Sequence, residues 1–467
     1  MYGATSDTKH RSKRKHLPES TNDTSKEQGR LEVMKKMLMI ILIPMLCCLN
    51  GASRADELQK GNIHPGIKLS FTERFRMVTW DNAVNLSETA GGGNSFTRHR
   101  TSLMSQWFLL DDLELALKLT NEFRYYFVPE NREFSFGEVI VDQLYAKYDN
   151  KVGIPGTLTL GRQNIILGEG FIVLDGDPLD GSRSIYFNAV RFDWRVGREN
   201  TLTLFYSYQQ DIDDMLPIIH DKDVRLIEQP EEGLTAYFRG TLNSLKYDTY
   251  FIRKNIKGTN DISTSSHIKC LGARVHMPLV GGLTVTGEGG YQFGNFGVVD
   301  RSAFGGYVHT DYTTTWASYL PHSFTVGGIY LSGNDPSTED WEAWDPLFAR
   351  WPKWSESYIY TEIKERGVAY WSNLLSLYGQ TKFVITKNIS FALSYHRLMA
   401  PEKPVGNDSF PGGTGNIRGD LVTGKLIYQF NTYFSGHVIW ETFDPGDFYF
   451  NDADGYNWAR AELMLKL

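Results

Sequence analysis

The sequence has no long hydrophobic run. Its longest apolar stretch, residues 37–49, has 13 residues, whereas a transmembrane helix needs about 20. We therefore expect no helical membrane span. A chain without such helices can cross a membrane only as a closed β-barrel, because lipid cannot satisfy unpaired backbone groups.

Motifs for covalent or metal chemistry are also scarce. Two of the three cysteines, Cys47 and Cys48, lie in the apolar stretch, so Cys270 stands alone in the remainder and a disulfide framework is excluded. The 11 histidines form no His-x-x-x-His pair. There is no Cys-x-x-Cys pair, no Gly-x-Ser-x-Gly and no phosphate-binding glycine-rich loop. We expect neither an enzyme nor a resident zinc ion.

Glycine and aromatic residues are abundant, at 44 residues and 13% of the chain, and apolar and polar positions alternate from residue 65 onward. The last nine residues show the pattern clearly. One parity holds Ala459, Ala461, Leu463, Leu465 and Leu467, and the other holds Arg460, Glu462 and Lys466. A sheet with one face in lipid and the other lining water has this period of two.

The alternation predicts an all-β fold: a single antiparallel transmembrane barrel of about 18 strands, with long extracellular loops and short periplasmic turns. We expect the strands at 65–78, 96–110, 113–127, 138–149, 156–165, 186–196, 200–210, 233–242, 244–254, 267–277, 282–293, 302–312, 322–332, 370–385, 388–398, 418–430, 433–443 and 456–467.

Long connections are predicted on the outer side at 79–95, 128–137, 166–185, 211–232, 255–266, 333–369, 399–417 and 444–455. The longest, 333–369, holds four tryptophans, and a loop of that length usually has a function, such as folding over the mouth of the barrel. Aromatic residues near strand ends are expected to form membrane-interface girdles, among them Trp80, Trp194, Trp371, Trp440 and Trp458.

Residues 34–55 have the layout of a secretory signal: Lys35 and Lys36, then the apolar stretch, then Ser53-Arg54-Ala55. We interpret residues 1–33 as an upstream extension and 56–467 as the barrel, placed in the outer membrane of a Gram-negative bacterium. Without residues 1–55, 38 Lys/Arg face 50 Asp/Glu, a net charge of −12. This acidic balance argues against nucleic acid as a partner.

Four elements in order resemble the alginate-export family of outer-membrane channels. They are Gly161-Arg162-Gln163 with the following strand to Arg191, Ser332-Gly333-Asn334-Asp335 with Asp345-Pro346, Gly419-Asp420-Leu421-Val422, and Asp444-Pro445-Gly446-Asp447. The resemblance spans residues 66–467. It implies an eighteen-stranded monomeric barrel, assembled by the barrel-assembly machinery among outer-membrane lipids, whose Arg- and Lys-rich lumen passes an anionic uronate polymer. The final Leu467 departs from the family's usual terminal aromatic residue.

Strand parity identifies candidate solute-binding cations, because rings of Arg and Lys select anions in pores. They are Lys68, Arg74, Arg76, Arg98, Arg100, Lys118, Arg124, Arg191, Arg195, Arg274 and Lys425. Arg162 is added from the resemblance, and its lumenal position requires a bulge before it. Glu114, Glu122, Asp193 and Glu288 are interspersed acids. The alternative is that opposite charges on neighbouring strands merely stabilise the wall.

Several other interpretations stay open at this point. Asp175, Asp177 and Asp180 resemble a calcium loop, but the spacing is out of step and the bidentate Glu is missing, so an acidic turn is preferred. The chain predicts a channel for an anionic polysaccharide, oligosaccharide or small anionic solute. A general porin is the second candidate, and an outer-membrane hydrolase using Ser394 and His396 is the third.

Overall fold

The computed structural model describes residues 62–64, 66–91, 93–129, 138–150, 153–175, 186–219, 225–315, 320–349, 354–358, 361, 371–404 and 410–467. The predicted extension and signal peptide, residues 1–55, lie outside this part of the chain.

Eighteen antiparallel strands form one closed barrel. Each strand pairs with the next along the chain, and β18 pairs back with β1. In chain order they are β1 Ile67–Trp80, β2 Asn94–Leu110, β3 Leu113–Val128, β4 Val139–Asn150, β5 Gly156–Gln163, β6 Phe187–Val196, β7 Asn200–Gln209, β8 Glu231–Leu242, β9 Leu245–Ile256, β10 Ser266–Pro278, β11 Leu283–Phe296, β12 Val299–Thr314, β13 His322–Leu331, β14 Leu374–Thr386, β15 Ile389–Met399, β16 Ile417–Gln429, β17 Phe434–Pro445 and β18 Tyr456–Lys466.

The predicted barrel and all eighteen of its strands are confirmed. Boundaries agree closely because the alternation of apolar and polar positions stops where each turn begins. The largest difference is at β14, which begins at Leu374 rather than 370, since residues 371–373 bind the chain near Ser332 instead of continuing the strand.

The outer face of the barrel is apolar. Leu103, Val190, Leu271, Val308 and Leu377 each expose between 48% and 54% of their surface, on strands spread around the wall. The opposite parity is polar and buried, for example in β1 and β8. A polar interior and an apolar exterior are the reverse of a soluble sheet protein, and they fit a wall that faces lipid.

Long and short connections alternate between the two ends of the barrel, which we call the long-loop end and the short-turn end. The short turns at 111–112, 197–199 and 387–388 all lie at the short-turn end. At the long-loop end, the link between β11 and β12 is only Gly297-Val298. Of the nine connections at that end, this one is therefore a tight turn, and the other eight are the predicted long loops.

In the described part of the chain, no helix is long and apolar enough to cross a bilayer. A second, three-stranded sheet lies inside the barrel. Ile165–Ile166 pairs with Val173–Asp175, which pairs in parallel with Phe348–Ala349. Two loops far apart in sequence therefore meet in the lumen.

Candidate functional site

Cations face the lumen on four neighbouring strands. Arg74 of β1 lies opposite Arg100 of β2, and Arg76 lies opposite Arg98, which is itself opposite Arg124 of β3. Like charges directly across a strand pair destabilise a sheet, so these rows are not explained by strand pairing alone. The inward positions of β18, β1, β2 and β3 hold nine cations, which we call the cation wall, and three acids: Arg460, Lys466, Lys68, Arg74, Arg76, Arg98, Arg100, Lys118 and Arg124, with Glu462, Glu114 and Glu122.

Acidic side chains are bound within the cation wall. Arg100 lies 2.9 Å from Asp142 and 3.2 Å from Glu122, and Lys118 Nζ lies 3.0 Å from the same Asp142. Arg76 Nε lies 2.5 Å from Glu462. All of these side chains are buried. Such partners offset the cost of removing a charge from water, and they fix the arginines in place.

Asp142 is a lumenal acid that strand parity does not identify. The register between β3 and β4 shifts between Lys118 and Leu119, and Asp142 is completely buried at this point. A β-bulge re-aims a side chain in this way. Strict alternation along β4 cannot reveal it, because Leu144 and Asp142 have the same parity and yet Leu144 is exposed on the outer face.

Arg124 of the cation wall and the predicted cations on other strands also have partners. Arg124 Nη1 donates to Tyr126 Oη at 3.2 Å. Arg191 lies 2.9 Å from Asp193 on the same strand, and Arg195 lies 2.6 Å from Asp149 near the short-turn end. Arg274 of β10 pairs with Asp248 at 3.3 Å and with Glu169 at 3.2 Å, and Lys425 of β16 lines the lumenal cavity.

Arg162 does not face the lumen. β5 pairs in unbroken register with both neighbours, and Arg162 lies opposite Leu144, an outward residue. The bulge expected before it is therefore absent from Gly156–Gln163, all of which is described. Its guanidinium is buried outside the wall, where it donates to Asp213 at 2.9 Å and to the Val141 carbonyl at 2.8 Å. Its side chain links β4, β6 and the connection that holds Asp213.

Two of the three candidate calcium ligands, Asp177 and Asp180, lie outside the described residues. Asp175 ends the small lumenal strand Val173–Asp175. Among the residues that the structure describes, no group of three His, Cys, Asp or Glu side chains could hold a metal ion.

Residues 344–349 dock on the inner face of β6 to β12. Phe348 packs 5.7 Å from the Phe187 ring, and Lys254 Nζ donates to Leu347 O at 2.5 Å and lies 3.3 Å from Asp345. Trp344 lies over Gly305, where an added Cβ would be 2.5 Å from the indole. The wall is therefore shaped to receive this loop.

Residues 354–358 dock on the opposite wall, β16 to β18. Glu441 is fully buried and accepts hydrogen bonds from Ser357 N at 2.8 Å, from Glu356 N at 3.1 Å and from Ser357 Oγ. Arg460 binds both oxygens of Glu356, at 2.8 and 2.9 Å. Two described segments of the link between β13 and β14, residues 344–349 and 354–358, thus bind opposite walls of the lumen. In these segments, backbone groups and tryptophans have partners inside the barrel, and folding over the mouth stays a prediction for the rest of the link.

Glu169 anchors the other inward loop, residues 164–175. Its carboxylate lies 3.2 Å from Arg274 and 3.3 Å from His309 of β12. Burial alone would raise the pKa of Glu169, but the hydrogen bonds and charges of His309 and Arg274 outweigh it and lower the pKa to about 2. The carboxylate is therefore a stable anion facing the lumen.

A cavity of about 530 Å³ lies between the inward loops and strands β12 to β17. Aromatic rings from both sides line it, including Phe171, Trp344, Trp354 and Tyr378, and Phe171 stacks on Trp344 at 5.6 Å. Lys425, Glu169 and Glu441 add charges of both signs. A space of this volume matches a ligand of monosaccharide to drug size.

Most of these loop residues carry no signal in the strand pattern, and several tryptophans lie elsewhere than expected. Trp371, Trp80 and Trp458 were expected at membrane interfaces, but each is at least 92% buried inside the barrel, whereas Trp194 and Trp440 are exposed. The proposed Ser394 and His396 pair is also not formed, since His396 Nδ1 lies 3.2 Å from Ser376 Oγ instead. Ser376 is completely buried, which does not suit a nucleophile.

No protein-family model and none of the curated proteins matches the sequence. Solved structures match the fold. OccK2 (OpdF) of Pseudomonas aeruginosa, whose crystal structure is in complex with glucuronate, has a TM-score of 0.52 and 14% identity, over 86% of this chain and 98% of that chain. The outer membrane protein OpdK of the same species has a TM-score of 0.53 and 9% identity, over 86% and 99%.

A third structure, OccD3 (OpdP) of Pseudomonas aeruginosa, has a TM-score of 0.52 and 9% identity, over 86% of this chain and 91% of that chain. These likenesses establish the fold, a closed eighteen-strand barrel like those of outer-membrane porins. The alginate-export resemblance stays a prediction.

Proposed function

We propose that this protein is an outer-membrane channel for small anionic solutes, above all carboxylates. The observation that carries the proposal is the cation wall, where arginines lie directly opposite arginines on adjacent strands. That arrangement costs stability in an empty wall. It is useful in a pore, because a row of fixed cations replaces the hydration and counterions of a passing anion.

The loop segments bound inside the barrel favour passage of a small solute over passage of a polymer. Residues 344–349 and 354–358 are bound to opposite walls, and the cavity beside them holds about 530 Å³. A polymer would have to displace these anchors, whereas a sugar acid or an aromatic acid would not. The structure of a neighbour in complex with glucuronate is consistent with this size and charge.

Ion selectivity and uptake test the proposal. In planar bilayers we expect the purified protein to conduct anions in preference to cations, and in liposome-swelling assays to admit glucuronate faster than glucose. Arg76→Gln and Arg98→Gln together should lower the glucuronate rate about tenfold, if the lost stabilisation is about 1.4 kcal/mol. Arg195→Gln is the matched control, because Arg195 pairs with Asp149 away from the cation wall.

The alternatives make different predictions for the same assays. A general porin would admit glucuronate, glucose and a cationic sugar at rates that follow size alone. A polymer exporter would be blocked by a long polyuronate and not by the monomer. A cation-selective pore that is unchanged by the double substitution would overturn the proposal. Heat-modifiable migration in detergent gels checks that each variant has folded.

A further inference from the structure

The outer surface of the barrel carries a pair of cations at adjacent positions. Arg253 of β9 lies directly opposite Lys269 of β10, and both side chains are exposed on the outward face. Directly opposed residues of antiparallel strands have Cβ atoms about 5 Å apart, and like charges there are unfavourable. Among the described residues, neither cation forms an ion pair with a carboxylate.

The strand register places this pair at a polarity boundary. The outward row one step toward the middle of the barrel is almost wholly apolar: Leu204, Ala236, Phe251, Leu271, Tyr291 and Phe304. The row one step toward the long-loop end is polar: Tyr208, Glu232, Asn255, His267, Asn295 and Asp300. Arg253 and Lys269 therefore lie where an apolar belt ends and a polar band begins.

The nearest acid in the polar row is Glu232, which accepts hydrogen bonds from Asn255 Nδ2 at 2.9 Å and from Tyr206 Oη at 3.2 Å. It also interacts electrostatically with Arg253 and Lys257, but this one carboxylate cannot neutralise three cations. Lys257 lies just beyond the pair, with its ammonium 5.3 Å from the centre of the Tyr208 ring, and Lys269 is 5.7 Å from that of Phe293. Aromatic rings beside the cations are typical of a membrane interface.

We propose that Arg253 and Lys269, with Lys257, bind the headgroup phosphate of an anionic acylated lipid. The phosphate lies between the two cations, and the acyl chains of the lipid lie on the apolar row toward the middle of the barrel. A soluble phosphate would make only the first contact, so the belt of Leu271 and Phe251 selects the lipid. This inference rests on the proposed membrane location, and it assigns the long-loop end to the leaflet that contains phosphorylated lipid.

Native mass spectrometry of the purified full-length protein in a neutral detergent tests the site. The probes are a diphosphorylated lipid A, the same lipid without phosphates, and inorganic phosphate. Each surface cation adds about a fivefold factor to anionic-lipid binding, so Arg253→Gln with Lys269→Gln should weaken binding of the diphosphorylated lipid roughly 30-fold. The lipid without phosphates should bind weakly to both proteins.

Arg397→Gln is the matched control, because Arg397 is also outward near the long-loop end but already lies 2.5 Å from Asp420. It should leave lipid binding unchanged, and Arg253→Lys should retain most of it. Equal binding of the two lipids, equal loss in Arg397→Gln, or full competition by inorganic phosphate would overturn the proposal. Conductance in a neutral bilayer is a separate measurement: the double variant should keep it, so failure of lipid binding leaves the channel proposal standing.

Discussion

At the scale of single residues, glycine decides where the inner loops bind. Gly305 of β12 lies under Trp344, and Gly233 of β8 lies under Phe348, where an added Cβ would be 2.3 Å from the ring. A side chain at either position would occupy the space of the ring. The wall and the loop are therefore complementary in shape, and the loop position depends on positions that carry no side chain.

We expect Gly305→Ala to displace Trp344, because the new Cβ would lie 2.5 Å from the indole. Overpacking of this kind costs about 1 to 3 kcal/mol, which is enough to shift the loop while the barrel stays closed. The open-channel conductance should rise. Gly379→Ala is the control, since nothing lies within 4 Å of its added Cβ, and a rise of equal size in that variant would contradict the explanation.

At the scale of elements, the strands could be predicted from the sequence, whereas the places where the inward loops bind could not. Strand positions follow from a period of two that each strand contains within itself, which is why β1 to β18 match their predicted ranges. The docking of Trp344 and Glu356 depends on contacts with residues more than 30 positions away, such as Gly305 and Arg460. The cation wall is intermediate: parity identified its Arg and Lys members, and the bulge that adds Asp142 was hidden.

The segment 354–358 is bound in part by the buried carboxylate of Glu441. Glu441→Gln replaces an acceptor oxygen with an amide donor that faces Ser357 N and Ser357 Oγ, and loss of a charged hydrogen bond costs about 2 kcal/mol. We expect larger fluctuations of the single-channel current. Glu114→Gln is the control, because Glu114 binds Gln106 and Tyr145 rather than the loop. A quiet Glu441→Gln channel would show that the other anchors, such as Arg460 on Glu356 and Arg418 on Tyr358, hold the segment.

The loop 164–175 should respond to acid through Glu169. Its pKa of about 2 lies below the ordinary value of 4.5, so its contribution to docking is complete above pH 4.5 and is lost as the pH falls toward 2. We expect the conductance difference between the wild type and Glu169→Gln to be present at pH 5 and to shrink below pH 4.5. A difference that grows as the pH falls below 4.5 would contradict the ion pairs with Arg274 and His309.

At the scale of the whole molecule, the sign of the total charge and the sign of the lumen differ. The chain has a formal net charge of −7, which alone would favour cations, while the inward face of β18 to β3 holds nine cations against three acids. Local placement governs the field inside a pore whose walls have a low dielectric constant. A permeating ion therefore responds to the cation wall first.

Salt concentration separates that field from direct contact. The Debye length falls from about 10 Å at 0.1 M to about 3 Å at 1 M, so selectivity that arises from the summed field of the cation wall should weaken strongly over this range. We expect reversal potentials under KCl gradients to give a clear anion preference at 0.1 M and a much smaller one at 1 M. Selectivity that persists at 1 M would mean that anions bind individual arginines at contact distance. A cation preference at 0.1 M would mean that the acids bound at Arg100, Lys118 and Arg76 already neutralise the cation wall.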